Sequence, residues 1–379
     1  MTAPATSERT NLLGLTREDL ERFVVERGGK AYRARQIMKW IYKQAVDDFD
    51  AMTDLAKDFR AALAASAEIR TPEIVTTQVA SDGTRKWMLR AGEAPGVATT
   101  IDQGIEMVYI PEVDRGTLCI SSQVGCALDC SFCSTGQQGF NRNLTAAEIV
   151  GQVWLANREL GFVAGGERII TNVVLMGMGE PLANYRNVLT AVSILMDDFG
   201  FDISRRRVTL STSGLVPQMR RLAEDSNLAL AVSLHAPNDK LRDTLVPINR
   251  KHPIAELLDA CWHYIDEQNG RSVTFEYVML EGINDSAAHA LELVDLLRGH
   301  PAKVNLIPFN PFPGTRYRCS APEVIERFRE LLNRHGVIAT TRKTRGRDID
   351  AACGQLAGRV HDRTTVRLGR KLVSIVAEV

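Results

Sequence analysis

The chain has 379 residues and a mass of 41.9 kDa, which suggests two or three domains if each takes about 150 residues. Hydrophobic residues make up 45% and charged residues 24%, a balance that excludes disordered, collagen-like and coiled-coil chains. The 46 basic and 46 acidic residues cancel, which excludes a uniformly basic coat but leaves room for a local basic face. No signal-peptide pattern opens the chain, and no uncharged apolar run reaches the roughly 18 residues that span a bilayer. We therefore expect a cytoplasmic protein with no membrane segment.

Residues 1–70 have helical patterns, and the first helix is predicted after a Thr16–Glu18–Asp19 stretch that resembles a capping box. Two more helices are predicted, at Ala31 to Gln44 and Leu55 to Ala65. Two strands follow, at Glu73 to Ala80 and Arg85 to Leu89, and Asp82-Gly83 between them is a strong hairpin signal. Residues 90–97 are predicted to form a turn or a joint, because they include two glycines and a proline.

From about residue 107 the pattern alternates between strands and helices. Six strands are predicted, at Leu118 to Ser121, Ile169 to Met176, Arg207 to Ser211, Leu228 to Leu234, Val273 to Leu280 and Lys303 to Ile307. The helical stretches between them include Ala146 to Leu160, Tyr185 to Asp198 and Ile254 to Glu267. Six units fall short of the eight of a closed barrel. The predicted fold class is therefore α/β, a partial six-unit β/α barrel with an N-terminal helical domain and a small β extension.

The cysteines point to the chemistry. Of seven, four lie within fifteen residues, and Cys126, Cys130 and Cys133 form a C-x3-C-x2-C run in the loop after the first barrel strand. Thiolates suit iron–sulfur clusters or zinc. A structural zinc site usually has four ligands in separated pairs, whereas three thiolates on a four-iron cluster leave one iron open for a small molecule. Structural zinc and plain buried thiols remain the alternatives.

This run resembles the signature of the radical S-adenosylmethionine (SAM) superfamily. Met176-Gly177-Met178-Gly179-Glu180-Pro181, at the end of the second barrel strand, fits the same resemblance, because glycine permits close backbone approach and a carboxylate can accept hydrogen bonds from an ammonium. The resemblance implies a radical SAM partial barrel, a [4Fe-4S] cluster held by Cys126, Cys130 and Cys133, and SAM bound to the open iron.

Over essentially the whole chain the sequence is similar to the RlmN/Cfr family of RNA adenine methyltransferases, with no departure at a motif position. The stretches that carry this likeness are Asp82–Trp87, Glu106–Pro111, Cys119–Cys126, Thr209–Gly214, Ser233–His235, Ile307–Pro311 and Asp348–Gly354. The resemblance implies methylation at C2 of an adenosine in 23S rRNA and of adenosine 37 in tRNAs. A Cfr-like C8 methyltransferase and a non-catalytic iron–sulfur RNA-binding module are the alternatives.

The same resemblance implies the role of each site residue. The residues that would line the SAM site are Gly179, Glu180, Ser211, Ser233, Leu234, His235 and Asn310. Cys353 would carry the methyl group, Cys119 would form a transient disulfide with Cys353, and Glu106 would be the proton acceptor. Two SAM molecules would be used per turnover, with an external electron donor such as flavodoxin or ferredoxin, in a monomeric enzyme.

The family match also sets the expected domains, as 1–70 (RNA-binding helices), 71–111 (β-hairpin extension), 112–350 (radical SAM core) and 351–379 (tail with the methyl-accepting cysteine). Arg342, Lys343, Arg345 and Arg347 precede Cys353, and positive charge favours a thiolate, the nucleophilic form. Cys261 and Cys319 are expected to be ordinary thiols of the fold.

Three local basic segments fit an RNA substrate. Residues 30–43 hold five basic residues, no acidic one and three interleaved aromatics, and residues 342–371 hold nine basic and three acidic residues. Arg205-Arg206-Arg207 is the third segment. Phosphate attraction combined with base stacking is typical of RNA contacts, although such charge runs are more often solvated faces.

Overall fold

The computed structural model describes residues 9–92, 103–268, 272–360 and 362–363. The N-terminal region is helical, as predicted. Its elements are β1 (Thr10–Asn11), α1 (Arg17–Glu26), α2 (Arg33–Met38), α3 (Lys57–Ser66) and β2 (Ala67–Glu68). The Thr16 hydroxyl caps α1 by accepting a hydrogen bond from the Asp19 N–H. The second predicted helix is confirmed, but it ends in a π-helical turn over Lys39–Lys43.

One ten-stranded sheet forms the centre of the molecule. Its three antiparallel strands are β3 (Glu73–Val79), β4 (Arg85–Arg90) and β5 (Gly104–Glu112), and β5 pairs with β6 (Arg115–Cys119). The predicted hairpin is confirmed, with Gly83 at φ +83° in its turn. Of the predicted joint at 90–97, residues 93–97 lie outside the described part of the chain.

The barrel part of the sheet begins at β6, and its strands are parallel to one another. A small antiparallel pair, β7 (Gln123–Gly125) and β8 (Phe140–Asn143), flanks the short helix α4 (Ser134–Gln138). The parallel strands after β6 are β9 (Asn172–Leu175), β10 (Val208–Thr212), β11 (Ala229–Ser233), β12 (Val273–Met279), β13 (Ala302–Pro308) and β14 (Ile338–Thr341). The helices between them are α5 (Ala146–Glu159), α6 (Tyr185–Met196), α7 (Val216–Asp225), α8 (Asp239–Leu245), α9 (Ile254–Glu267), α10 (Ala287–Leu297) and α11 (Pro322–Arg334).

All six predicted barrel strands are confirmed, and the partial barrel of a radical SAM fold is correct. The sequence pattern missed β14, a seventh parallel strand at the edge of the sheet. That strand has only four residues, three of them exposed, so neither hydrophobic periodicity nor length distinguished it from a loop. No helix in the described ranges is both long and apolar enough to span a membrane.

The N-terminal helices dock on the outside of the barrel. The Trp154 indole of α5 donates a hydrogen bond to the Ile41 carbonyl at 2.8 Å, and the Tyr42 and Phe201 rings pack in a tilted arrangement at a 5.0 Å centroid distance. The cations of Arg35 and Lys39 lie 5.6 and 5.5 Å from the Phe199 ring. Part of the first basic segment therefore fastens these helices to the barrel.

After β14 the chain crosses the open side of the barrel to reach β3–β5. We call residues 342–360 the Cys353 segment. The hairpin turn holds its first half, because the Gly346 N–H donates to the Asp82 carboxylate at 3.1 Å and the Ser81 N–H donates to Asp348 at 2.9 Å. Strand β5 holds its second half through a backbone bond from the Gly104 N–H to the Arg359 carbonyl at 2.8 Å. The β extension thus positions the segment that contains Cys353.

Candidate active site

A cavity, here called the first cavity, lies at the carboxyl ends of the parallel strands, where β/α barrels place their reactive groups. Cys126, Cys130 and Cys133 all line it, on the loop between β7 and α4. The loop is fixed by backbone bonds from the Cys126 N–H to the Gly139 carbonyl at 2.7 Å and from the Cys133 N–H to the Cys130 carbonyl at 3.1 Å. All three cysteines are free thiols.

The three thiols are close enough to repel one another when ionised. Burial and the neighbouring Cys133 raise the pKa of Cys130 to about 12, and burial and Cys130 raise that of Cys126 well above its usual range. In the described residues, no three His, Cys, Asp or Glu side chains converge on the position of a single metal ion. Thiols spread around one cavity instead fit a polynuclear cluster, in which each thiolate binds a different iron.

Glu180 lies in the first cavity as the glycine-rich turn predicts. Gly179 has a φ of +103°, and a Cβ there would lie 2.5 Å from the Gln123 side chain, so only glycine fits. The Glu180 carboxylate accepts hydrogen bonds from the N–H groups of Leu182 at 3.1 Å and Ser213 at 2.8 Å. Burial raises its pKa to about 7. The Thr212 side chain also hydrogen-bonds this carboxylate, and of its roughly four acceptor positions at least one is left for a cationic ligand.

The structure brings five of the seven predicted SAM-site residues to the first cavity, namely Gly179, Glu180, Ser211, Ser233 and His235. His235 has a φ of +60°, and its Nδ1 accepts a hydrogen bond from the Val278 N–H at 3.1 Å. Burial and the nearby Arg242 lower its pKa to about 3, which keeps the imidazole neutral. Leu234 is fully buried behind the cavity wall. Asn310 lines a second cavity instead.

This second cavity occupies the interior of the barrel below the first. Strand residues with amide, hydroxyl and charged side chains line it, among them Asn172, Thr209, Thr274, Lys303 and Asn305. The two cavities share the residues Met176, Glu276, Ile307, Arg342 and Cys353. Cys353 therefore stands at the junction between the space beside the cysteine loop and a polar space inside the barrel.

Arg342, Cys119 and Cys353 form an electrostatic group at this junction. The negative form of Cys353 is the largest of the influences that hold the pKa of Arg342 above its usual range, and Glu276 and Cys119 add to it. Burial raises the pKa of Cys119 to about 12, with a further contribution from Cys353. Cys119 and Cys353 are free thiols. Of the four basic residues noted before Cys353, Arg342 interacts with its sulfur.

Glu106 has a different environment from the other predicted catalytic residues. Its carboxylate forms a buried ion pair with Lys86 at 3.2 Å and accepts a hydrogen bond from the Ala357 N–H at 2.9 Å. Like Cys119, it is not among the residues that line either cavity, whereas Cys353 lines both. In this conformation Glu106 holds the Cys353 segment.

The sequence patterns missed Glu276 and Arg242. Glu276 is buried on β12 between the two cavities, where Asn305 donates to its two oxygens at 3.2 and 3.1 Å, and burial raises its pKa. Arg242 is buried on α8 behind the cavity. Neither residue belongs to a short motif, and one sequence contains no other signal that could have singled them out.

The chain matches two known sequence families. Residues 10–69 match the ribosomal RNA large subunit methyltransferase N-terminal domain, and residues 120–294 match the radical SAM superfamily. The crystal structure of a radical SAM methyltransferase from Sphaerobacter thermophilus is 48% identical, with a TM-score of 0.84 over 92% of this chain and 99% of that chain. The chain belongs to the radical SAM methyltransferases, and it is of the RlmN type.

More distant solved structures resemble this RlmN-type methyltransferase far less. SuiB from Streptococcus suis, solved with its precursor peptide SuiA, is 14% identical with a TM-score of 0.43, over 60% of this chain and 49% of that chain. A domain of the pyruvate-formate lyase-activating enzyme from Bacteroides vulgatus is 15% identical with a TM-score of 0.30, over 36% of this chain and 81% of that chain.

Proposed function

We propose that this RlmN-type methyltransferase methylates C2 of an adenosine in 23S rRNA, and of adenosine 37 in tRNAs, with Cys353 as the methyl carrier. The observation that carries the proposal is the position of Cys353 at the junction of two cavities. A methyl carrier must meet the methyl donor on one side and the base on the other. The first cavity contains the cysteine loop and Glu180, and the second has the polar lining that a single extruded nucleotide requires.

The cluster, when bound, supplies the electron that cleaves SAM to a 5′-deoxyadenosyl radical. Cys126, Cys130 and Cys133 would hold the cluster, and Glu180, with Ser211, Ser233 and His235, would hold SAM. Leu234 and Asn310 remain in the proposal, Leu234 through its backbone and Asn310 from the second cavity. Neutral His235 can accept or donate a hydrogen bond without bringing a second charge beside the thiolates.

Adenine C2 lies between two ring nitrogens and is electron-poor, so it does not attack the electrophilic sulfonium methyl directly. In our proposal the Cys353 thiolate first takes a methyl group by nucleophilic displacement. The Cys353 thioether methyl then loses a hydrogen atom to the radical from a second SAM, and the carbon radical adds to C2. The adduct radical then gives one electron to the oxidised form of the external electron carrier and its C2 proton to a carboxylate. Cys119 attacks the Cys353 sulfur to form a disulfide, the bond between that sulfur and the bridging carbon breaks, and this carbon takes up a proton to become the methyl group of the released base.

Arg342 supports two of these steps through its charge. Its guanidinium interacts favourably with the anionic forms of both Cys353 and Cys119. Because burial raises the pKa of Cys119 to about 12, that thiol stays protonated while the Cys353 thiolate takes the first methyl. Cys119 would therefore act late, once the base and the carrier are joined.

The proton at C2 needs an acceptor, and two buried carboxylates close to the Cys353 segment are candidates. We retain Glu106, which can act once the Cys353 segment moves and its bond to Ala357 is broken. Glu276 is a second candidate, because it already lines both cavities beside Cys353. If Glu106 is the acceptor, Glu106→Gln should accumulate the RNA–protein adduct and Glu276→Gln should not. If Glu276 is the acceptor, the opposite result is expected.

The remaining features of the proposal are an N-terminal domain (1–70) and basic segments that contact RNA, an external donor such as flavodoxin or ferredoxin, a monomeric state and a cytoplasmic location. Two SAM molecules would be consumed per methyl group. The Lys30 to Lys43 segment keeps Lys30 and Tyr32 exposed, which suits contact with phosphate and base.

An anaerobic assay with reductant, SAM and either 23S rRNA or tRNA tests the proposal. We expect 5′-deoxyadenosine and 2-methyladenosine, identified by mass spectrometry, and no product with Cys353→Ala. 8-Methyladenosine would identify the Cfr-like alternative. RNA binding without 5′-deoxyadenosine or methylation, in protein with a full cluster, would overturn the proposal in favour of a non-catalytic module.

A further inference from the structure

Arg242 is among the largest fully buried side chains of the described residues. It lies on α8, one helix turn after that helix begins, and its guanidinium donates to four neutral acceptors. Its nitrogens donate to the backbone oxygens of Leu234 (Nε, 3.1 Å), Ser213 (Nη2, 2.7 Å) and Ser233 (Nη2, 3.1 Å), and to the Asn249 side chain (Nη1, 2.8 Å). Arg242 therefore ties together the carboxyl ends of β10 and β11.

These carbonyls belong to the SAM-site loops. Ser213 bonds Arg242 through its carbonyl and Glu180 through its N–H, so the guanidinium and the Glu180 carboxylate hold the same residue from two sides. Ser233 lines the first cavity and Leu234 precedes His235. A planar guanidinium with several N–H donors in fixed positions (here called the fork) suits this task. A lysine ammonium cannot reproduce that geometry.

No Asp or Glu in the described residues forms an ion pair with Arg242. Asn249 stands between it and the nearest acids, because the Asn249 amide donates to Asp239 at 2.9 Å and to Asp243 at 2.7 Å. Burial lowers the pKa of Arg242 to about 10. Burying a cation without a paired anion is costly, so an anion elsewhere is expected to balance it.

The cysteine loop supplies that anion. Ser213, whose carbonyl accepts from Arg242 at 2.7 Å, also hydrogen-bonds the Cys130 sulfur through its side chain, so one residue links the guanidinium to a cysteine of this loop. Ser131, next to Cys130, donates its N–H to the Leu245 carbonyl of α8 at 3.1 Å. The helix with Arg242 and the loop with the cysteines are thus joined directly.

We propose that Arg242 is the buried counter-charge of the cluster and the residue that positions the SAM-site loops. The inference rests on the proposed cluster site but not on the RNA substrate or the carbon methylated. Reduction adds one negative charge to a cluster held by three thiolates. A nearby desolvated cation stabilises the reduced form, so it raises the reduction potential, and its fork separately fixes the loops that bind SAM.

The charge and the fork can be separated by two substitutions. Arg242→Gln removes the charge, so the midpoint potential should become more negative. Arg242→Lys keeps the charge and loses the fork, so the potential should stay near that of the wild type while SAM binds at least tenfold more weakly. Arg250→Gln, an exposed arginine just after the same helix, is the matched control and should change neither quantity.

The potential would be measured on cluster-reconstituted full-length protein by potentiometric titration followed by electron paramagnetic resonance, and SAM binding by equilibrium dialysis.

Because Arg242→Gln removes several hydrogen bonds, Asp243→Asn provides a gentler test. With one acid less near Arg242, the reduction potential should become less negative. Equal potentials in wild type, Arg242→Gln and Asp243→Asn would overturn the proposal. If Arg242→Gln does not fold, an unchanged potential in Asp243→Asn overturns it alone. Failure of every variant, wild type included, to assemble a cluster would instead contradict the proposed cluster site.

Discussion

A buried arginine, Arg242, and a half-buried one, Arg342, flank the first cavity, and they differ in how their charges are balanced. Around Arg342, the negative charge of Cys353 and the nearby Glu276 outweighs the effect of burial, and the pKa of the guanidinium rises. Around Arg242, burial prevails and lowers the pKa to about 10. Arg342 thus has the Glu276 carboxylate among its neighbours, whereas the Asp239 and Asp243 carboxylates near Arg242 accept hydrogen bonds from Asn249.

The two sides also differ in how they are held. Arg242 is bonded to the ends of regular barrel strands. The Cys353 segment, by contrast, is held by separate polar contacts with the β extension, such as those of Asp82 and Glu106. We call the cysteine loop with Arg242 the proposed cluster side, and Cys119 with the Cys353 segment the proposed carrier side. Arg242 joins the cluster side to the barrel strands, whereas the Cys353 segment is attached by separate polar contacts.

The largest expected effect is on the cluster side. Cys126→Ala, Cys130→Ala and Cys133→Ala should each abolish cluster assembly and methylation, because each removes one of three thiolates. Iron and sulfide content and the visible spectrum measure the loss. Cys261→Ala, a buried thiol in α9, is the control and should load a full cluster. Normal loading and turnover in any of the first three variants would contradict the ligand assignment.

The next prediction distinguishes the roles of the two cysteines of the carrier side, Cys119 and Cys353. Cys119→Ala should still accept a methyl on Cys353 and form the carbon bridge, so RNA should remain covalently attached. Cys353→Ala should give no adduct because the carrier is gone. A denaturing gel before and after ribonuclease treatment distinguishes them. Normal turnover by Cys119→Ala, or no linked species, would make Cys119 merely a core thiol.

A third prediction concerns the hairpin that holds the Cys353 segment. Asp82→Asn weakens a charge-assisted bond to Gly346, so methylation of Cys353 should slow by about tenfold while cluster content stays normal. Mass spectrometry of the Cys353 peptide measures the rate, and Asp114→Asn, on the neighbouring exposed turn, is the control. An unaltered rate would mean that this contact does not position the carrier.

A pH effect is expected from Glu180 in cluster-free protein. Its folded-state pKa of about 7 lies above the ordinary value of 4.5, so folding favours the protonated form. This stabilisation is complete below the ordinary pKa and is lost as pH rises to about 7. Relative to Glu180→Gln, the wild type should lose at most about 1.4 kcal/mol of unfolding free energy per pH unit in that window. Urea titrations across the window measure it, and parallel pH profiles for the two proteins would contradict the buried environment of Glu180.

The smallest effect is expected at the N-terminal helices. Neutralising Lys39 and Lys43 should lower the salt slope of RNA binding by at most about 0.7 log units per lost contact. Lys43 also pairs with Asp202 at 3.7 Å, and Lys39 lies over Phe199. Thermal unfolding is therefore measured alongside, to separate weaker docking from weaker RNA binding. An unchanged slope would make this segment a solvated, structural face.

Local patterns in the sequence were sufficient for the six barrel strands, the β hairpin and the first helices, because hydrophobic periodicity and turn residues act over a few neighbouring positions. The cysteine spacing and the glycine-rich turn before Glu180 likewise predict which residues would hold a cluster and SAM. Both features are contiguous in the chain. The structure then placed these residues around one cavity, as strands that end at the same edge of a sheet require.

Only the tertiary structure decided which distant residues meet. β14 follows α11 but adds to the sheet beside β13, which lets the Cys353 segment cross to the hairpin at Asp82. Glu106 pairs with Lys86, Glu276 reaches both cavities, and Arg242 lies behind Cys130. The energies of such buried charges depend on desolvation and on neighbours far away in sequence, and no local pattern encodes either.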